Sequence, residues 1–136
     1  MSTLKNVVRV EVCEASSLGC VLYPAHGVCH LPEDVSFREI SIKVPASMEI
    51  SDKIESKVRI FTSKLSFKSA EQLPADDYAL AFRATTADGE RYLLGRWHRP
   101  FPVLLRTENM PSSYTDSSLI SYVATWTDVV AALKIV

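Results

Sequence analysis

Glycine is scarce in this sequence, and its four copies are isolated, so no glycine-rich loop is available to cradle a phosphate. Cysteine occurs three times, as Cys13, Cys20 and Cys29. An odd number excludes a complete intrachain disulfide framework and leaves buried reduced thiols as the plain reading. Neither sign of charge is in excess: 15 lysines and arginines stand against 16 aspartates and glutamates, a net charge of −1. That balance argues against a basic face for nucleic acid and against a polybasic membrane anchor. No apolar run approaches the roughly 18 residues of a membrane span, and nothing like a signal peptide follows Met1. The expectation is a protein made in the cytosol, with no membrane partner and no sequence-specific contact with nucleic acid.

What the sequence does have is apolar and β-branched. At 136 residues with 47% hydrophobic content it can bury a core as one domain, residues 1–136. Val8, Val10 and Val12 alternate with Arg9 and Glu11, the period of a half-buried strand. Ile40, Ile42 and Val44 repeat that period, and Pro45 is expected to close the strand because it cannot donate a ladder hydrogen bond. Residues 57–68 are strand-like, but Val58 and Ile60 fall on the opposite parity to Leu65 and Phe67. A bulge near residues 61–64 repairs this, and so do two shorter strands. The clearest local feature is a hairpin. Tyr78, Leu80, Phe82 and Ala84 form one face of its first arm, Asp88-Gly89 makes the turn, and residues 91–94 return. Val103 and Leu105 suggest a further strand entered through Pro100-Phe101-Pro102. Ile120, Tyr122, Ala124 and Trp126 mark a late one.

Three segments stay open. Ile50, Ile54 and Val58 are spaced by four, as on a helix, yet the polar stretch 45–56 equally suits a projecting arm. Residues 107–118 read as a long loop around Pro111. At the C-terminus Asp128 is placed to cap a short helix, while residues 133–136 equally suit an edge strand. The expected fold is mainly β, an antiparallel β-sandwich or partly open β-barrel, with Val10, Ile42, Phe82, Leu94, Tyr122 and Trp126 in its core.

Candidate chemistry is thin. Cys20, His26, Cys29 and His30 are the one metal-like group, but their spacing follows no common zinc pattern and a second CxxC pair is missing. Cys29 beside His30 is no catalytic dyad, since such partners meet through folding rather than adjacency. Glu33-Asp34 and Asp76-Asp77 lie beside Pro32 and Pro74, where turn chemistry accounts for them. No catalytic residues, metal or cofactor are expected, and the chain is not read as an enzyme. Arg96, Trp97, His98, Arg99 and Phe101 mix cations with aromatics, which suits an interface anchor, a ligand-stacking patch or a partly buried tryptophan among solvated arginines.

The hairpin and its flanks carry a resemblance. Tyr78-Ala79-Leu80, Thr86-Ala87-Asp88-Gly89 and Tyr92-Leu93-Leu94-Gly95 resemble a pattern in small structural proteins, tail- or virion-associated, of phages and prophages of Bacteroides-type bacteria. The proline-containing link Arg96-Trp97-His98-Arg99-Pro100, the strand over 103–106, the opening Val8-Arg9-Val10-Glu11-Val12-Cys13 and the span 60–67 extend it over most of the chain. In that group the link is usually made of small residues; here it holds Trp97, His98 and Arg99. The resemblance implies a virion component that assembles with copies of itself and with other phage structural proteins, most simply a tail-associated connector or ring subunit. The expected contact residues are Trp97, His98, Arg99, Met110, Tyr114, Ile50 and Ile54, on the arm 45–56 and the loop 107–118. A small-ligand or glycan-binding β-module is the alternative.

Overall fold

The computed structural model describes residues 2–19, 21–23, 28–31, 35–71, 79–97, 100–108 and 120–135. Among them ten strands share one sheet: β1 Ser2–Glu14, β2 Val28–Cys29, β3 Arg38–Ile40, β4 Lys43–Glu55, β5 Val58–Ser69, β6 Leu80–Thr86, β7 Arg91–Leu94, β8 Val103–Glu108, β9 Ile120–Asp128 and β10 Leu133–Ile135. The order is β2-β10-β7-β6-β1-β4-β5-β9-β8, with β3 continuing the line of β4 along the second half of β1. The chain is therefore mainly β, as its alternating pattern implies. The sheet is open and mixed rather than wholly antiparallel, because β2 joins β10 in parallel.

The sheet is strongly curled. β9 and β10 stand six places apart in the order, about 29 Å in a flat sheet at ~4.8 Å per strand. Five Cα steps join Asp128 to Leu133 and reach at most about 18 Å. The two ends must therefore fold toward each other, and side-chain contacts fasten them. The Ala132 amide donates to Ser63 Oγ at 3.0 Å, Arg96 pairs with Asp128 at 2.5 Å, and Trp126 Nε1 donates to the Pro100 carbonyl at 3.1 Å. Between the two halves lie Val10, Phe82, Leu94, Leu65, Tyr122 and Trp126, all buried. Phe67 stacks on Tyr122 with centroids 5.3 Å apart, and the tyrosine hydroxyl donates to the Glu71 carbonyl. Of the six expected core residues only Ile42 is partly buried; it lies in the break between β3 and β4.

Several local expectations are corrected. Val8 does not continue the inward row of Val10 and Val12. The β1–β6 register shifts between Val7 and Arg9, which makes Val8 the extra residue of a bulge; it is exposed while Val7 takes the core position. The second face of β1 is solvated at Arg9 but not at Glu11. Glu11 is buried and accepts two hydrogen bonds from Arg83, from Nε at 3.0 Å and from Nη2 at 2.5 Å, and the Phe37 ring covers that guanidinium at 4.2 Å. Pro45 does not end a strand. It lies within β4 where the ladder to β5 is interrupted between Lys43 and Ser47, the kind of irregularity that tolerates a missing N–H.

No bulge divides β5. Its register with β4 runs unbroken from Ser66 to Val58, so Val58 and Ile60 lie on the outer face, opposite in parity to Leu65 and Phe67. Of the two alternatives for the span 47–58, the helix is overturned and the extended arm holds, as a paired strand and its turn. Ser56 and Lys57 both adopt positive φ, 50° and 68°, the two-residue turn that matches strand twist. The β6–β7 hairpin forms as expected from Leu80 onward, Tyr78 lying outside the described residues, with Gly89 at φ +87° and its amide donating to the Thr86 carbonyl. The C-terminal residues pair as a strand rather than capping a helix, and β10 is flanked on both sides by β7 and β2. Among the described residues the one helical turn is a 3-10 segment, Ala15–Leu18.

Candidate interaction surface

The hairpin β4–β5 extends past its neighbours. β1 pairs with β4 only as far as Ser51, and β9 pairs with β5 only as far as Phe61. Among the described residues, 52–60 therefore have ladder partners only within the hairpin. This is a projecting arm built as a two-stranded ribbon. On its inner side Ile50 and Ile54 continue the row of the buried Ala46 and Met48, but the second half of the sheet no longer covers them. Ile50 is half-buried and Ile54 is 67% exposed. Arg59, opposite Ile54, reaches back to Asp52 at 2.5 Å, and Asp52 stands opposite Phe61.

Trp97 belongs to the same end of the molecule. Phe61 pairs with Asp128, and Asp128 holds Arg96, the residue before Trp97. Arg96 and Asp128 are mostly buried, so Trp97 is carried by a fixed neighbour. The Arg96 Nε is buried without an acceptor among the described residues. Trp97, Tyr23 and Val129 are exposed, and Tyr23 lies close enough to Arg96 to feel its charge. The fold thus links Trp97 to the foot of the arm that bears Ile50 and Ile54. His98, Arg99, Met110 and Tyr114, and residues 109–118 of the expected loop, lie outside the described residues. Thr107 and Glu108 belong to β8 rather than to a loop.

A second surface was not singled out in the sequence. β8 pairs with β9 on one side and, among the described residues, has no ladder partner on the other. Leu104 points inward and is buried, which turns Val103 and Leu105 outward at 58% and 60% exposure. An alternating apolar pair marks a strand, but the polarity of residues 103 and 105 alone does not say which face is the core. The adjacent Leu104 and the buried Ala124 opposite it decide that.

The remaining chemical candidates separate. Cys29 is fully buried on β2, and burial pushes its thiol up to about 11; His30 bridges Leu22 through the backbone. Cys13 is also buried and likewise raised to about 11 by desolvation. Cys20, His26 and the carboxylate pairs Glu33-Asp34 and Asp76-Asp77 lie outside the described residues. No family model matches the chain, and no curated protein or solved structure matches it.

Proposed function

We propose that this chain is a structural subunit of a bacteriophage particle that assembles with copies of itself, the edge of β8 left unpaired among the described residues being the observation that carries the reading. Natural sheets protect their edges with inward charges, bulges, proline or a covering segment, because an unpaired row of N–H and C=O groups templates another strand. β8 presents two large aliphatic side chains on one face of such an edge. Its sequence is self-complementary in the antiparallel sense. A two-fold pairing that sets Leu104 opposite Leu104 of the second copy also sets Val103 opposite Leu105 twice. Shifting by two residues to centre on Arg106 places two guanidinium groups together, which is unfavourable. The projecting arm and the Trp97 end supply further surface for the other virion proteins. The two-fold edge contact by itself closes at a dimer; a ring or connector needs a second, head-to-tail contact, for which the projecting arm is the available surface.

The test has two parts. Mass spectrometry of particles purified from a strain carrying the gene is expected to find the chain in many copies. Its absence from the particles refutes the virion reading and leaves self-assembly standing. Sedimentation velocity over a wide concentration range is expected to show reversible self-association, and a strictly monomeric protein at every concentration refutes the edge contact.

A further inference from the structure

We propose that the outer face of β4, β5 and β9 carries a binding site for a small phosphate or sulfate ester. A groove of about 380 Å³ opens there, bounded by Lys43, Ser47, Ser66, Lys68 and Ser121, where the irregularity between Lys43 and Ser47 lifts β4 out of register with β5. The register arranges these residues as two adjacent rows on one face. Lys43, Lys68 and Ser121 stand side by side across the three strands, and Ser47, Ser66 and Val123 form the next row.

Two features of this grid are unexplained by folding. Lys43 and Lys68 are directly opposed, and like charges in that position destabilise a sheet. Among the described residues neither has an ion-pair partner, and no carboxylate lines the groove. The hydroxyls of Ser47, Ser66 and Ser121 are half-buried and likewise without protein hydrogen-bond partners among the described residues. An oxyanion seated between the two ammonium groups converts their repulsion into two attractions, and lysine binds phosphate as a point charge. Serine hydroxyls donate and accept, so they serve both the remaining anion oxygens and the hydroxyls of the esterified part. The volume lies within the range of small-molecule pockets and leaves room beside a single tetrahedral anion. A polyanion is disfavoured by the next row along the sheet, where Glu49 stands opposite Lys64 and interrupts the positive track.

The experiment is a two-dimensional NMR titration of the intact chain with inorganic phosphate, sulfate and glucose 6-phosphate, against chloride at matched ionic strength. Saturable shifts are expected at the amides of Ser47, Ser66, Lys68 and Ser121, with the ester binding more tightly than either free anion. Lys43→Gln and Lys68→Gln are each expected to weaken binding about tenfold, as losing one of two charge contacts to an anion at a partly exposed site implies. Lys64→Gln, outside the groove, is expected to leave binding unchanged. A second readout does not depend on the ligand: without anions, Lys43→Gln is expected to raise the melting temperature, because it relieves the lysine pair. Shifts no larger than in chloride overturn the proposal, as does equal weakening by Lys64→Gln. A single-stranded oligonucleotide that binds with a steep salt dependence also overturns it, in favour of a nucleic-acid face. If free phosphate or sulfate binds as tightly as the ester, the hydroxyl contacts assigned to the serines are wrong and the small-ester assignment falls.

Discussion

Replacing Leu105 with lysine tests the edge contact where it is most sensitive. Across a two-fold axis the substitution appears twice, so its effect on association is doubled. Full burial of a leucine or valine is worth about 1.5–3 kcal/mol. Val103 and Leu105 are 58% and 60% exposed in the single chain, so each has a little over half of that left to gain. Four such side chains in a pair contribute about 5 kcal/mol in all. About five new ladder hydrogen bonds at roughly 1 kcal/mol net add a similar amount. Association itself costs about 4–15 kcal/mol. The balance lies between nothing and about 6 kcal/mol, so the edge alone supports a dissociation constant no tighter than tens of micromolar. The free chain is thus expected to be largely monomeric when dilute, and assembly needs the arm or a template in addition. Leu105→Lys removes about 1–1.5 kcal/mol per copy and sets a charge against the partner's valine, weakening self-association by about 50-fold or more. Sedimentation equilibrium measures this directly. The register has its own assay: Val103→Cys protein mixed with Leu105→Cys protein should form a disulfide-linked dimer, whereas neither alone should. Both variants carry Cys20→Ser, and the remaining native Cys13 and Cys29 are buried with raised thiol pKa values, which keeps them out of the reaction. Unchanged association of Leu105→Lys, or cross-linking of Leu105→Cys with itself, refutes the pairing as derived.

Arg83→Met strands the buried Glu11 carboxylate and should cost about 3 kcal/mol in urea unfolding, while Glu11→Leu combined with Arg83→Met should recover most of it; equal losses in the single and double variants would show that the pair is not coupled. Ser56→Asn with Lys57→Gly fits the positive-φ turn at the tip of the arm and should stabilise the fold by about 1 kcal/mol, read as a rise in urea midpoint; a loss would mean the turn is not left-handed. The Glu71 carboxyl is held below its ordinary value of 4.5, first by the Ser41 amide and then by Arg38. A depressed carboxyl contributes stability above its unfolded pKa that is lost as pH falls through the folded value, so the chain should weaken on acidification below about 4.5. Glu71→Gln should flatten that acid limb, and an unchanged pH profile would rule Glu71 out.

The parts of the fold legible in the sequence are those where a strand is covered on one face and turned by a permissive residue. The β6–β7 hairpin announces itself because Gly89 supplies the positive φ and the first arm alternates from Phe82 to Thr86. β9 does so because Ile120, Tyr122, Ala124 and Trp126 all enter the core. The failures have equally specific causes. Two β-branched neighbours, Val7 and Val8, offer the same hydrophobicity to the core, and only the ladder to β6 decides which of them is the extra residue. Glu11 looks solvated by type and is buried because Arg83, 72 residues away, neutralises it. The turn at Ser56 and Lys57 carries no glycine or asparagine, so nothing separates the arm's two strands in the sequence, and the spacing of Ile50, Ile54 and Val58 imitates a helix. In the hairpin Ile50 and Ile54 share one face and Val58 takes the other, which a helix does not permit. The candidate surface follows the same rule. Trp97 was legible as a large aromatic among cations, and Ile54 as an apolar residue in a polar stretch. Val103 and Leu105 were not, because outwardness is a property of the sheet rather than of the residue. A strand whose neighbours are all known can be assigned an inner face by burial; an edge strand with one neighbour takes its inner face from that neighbour alone. For β8 that neighbour is β9, whose buried Ala124 opposite Leu104 turns Val103 and Leu105 away from the core and leaves the surface on which self-assembly is argued.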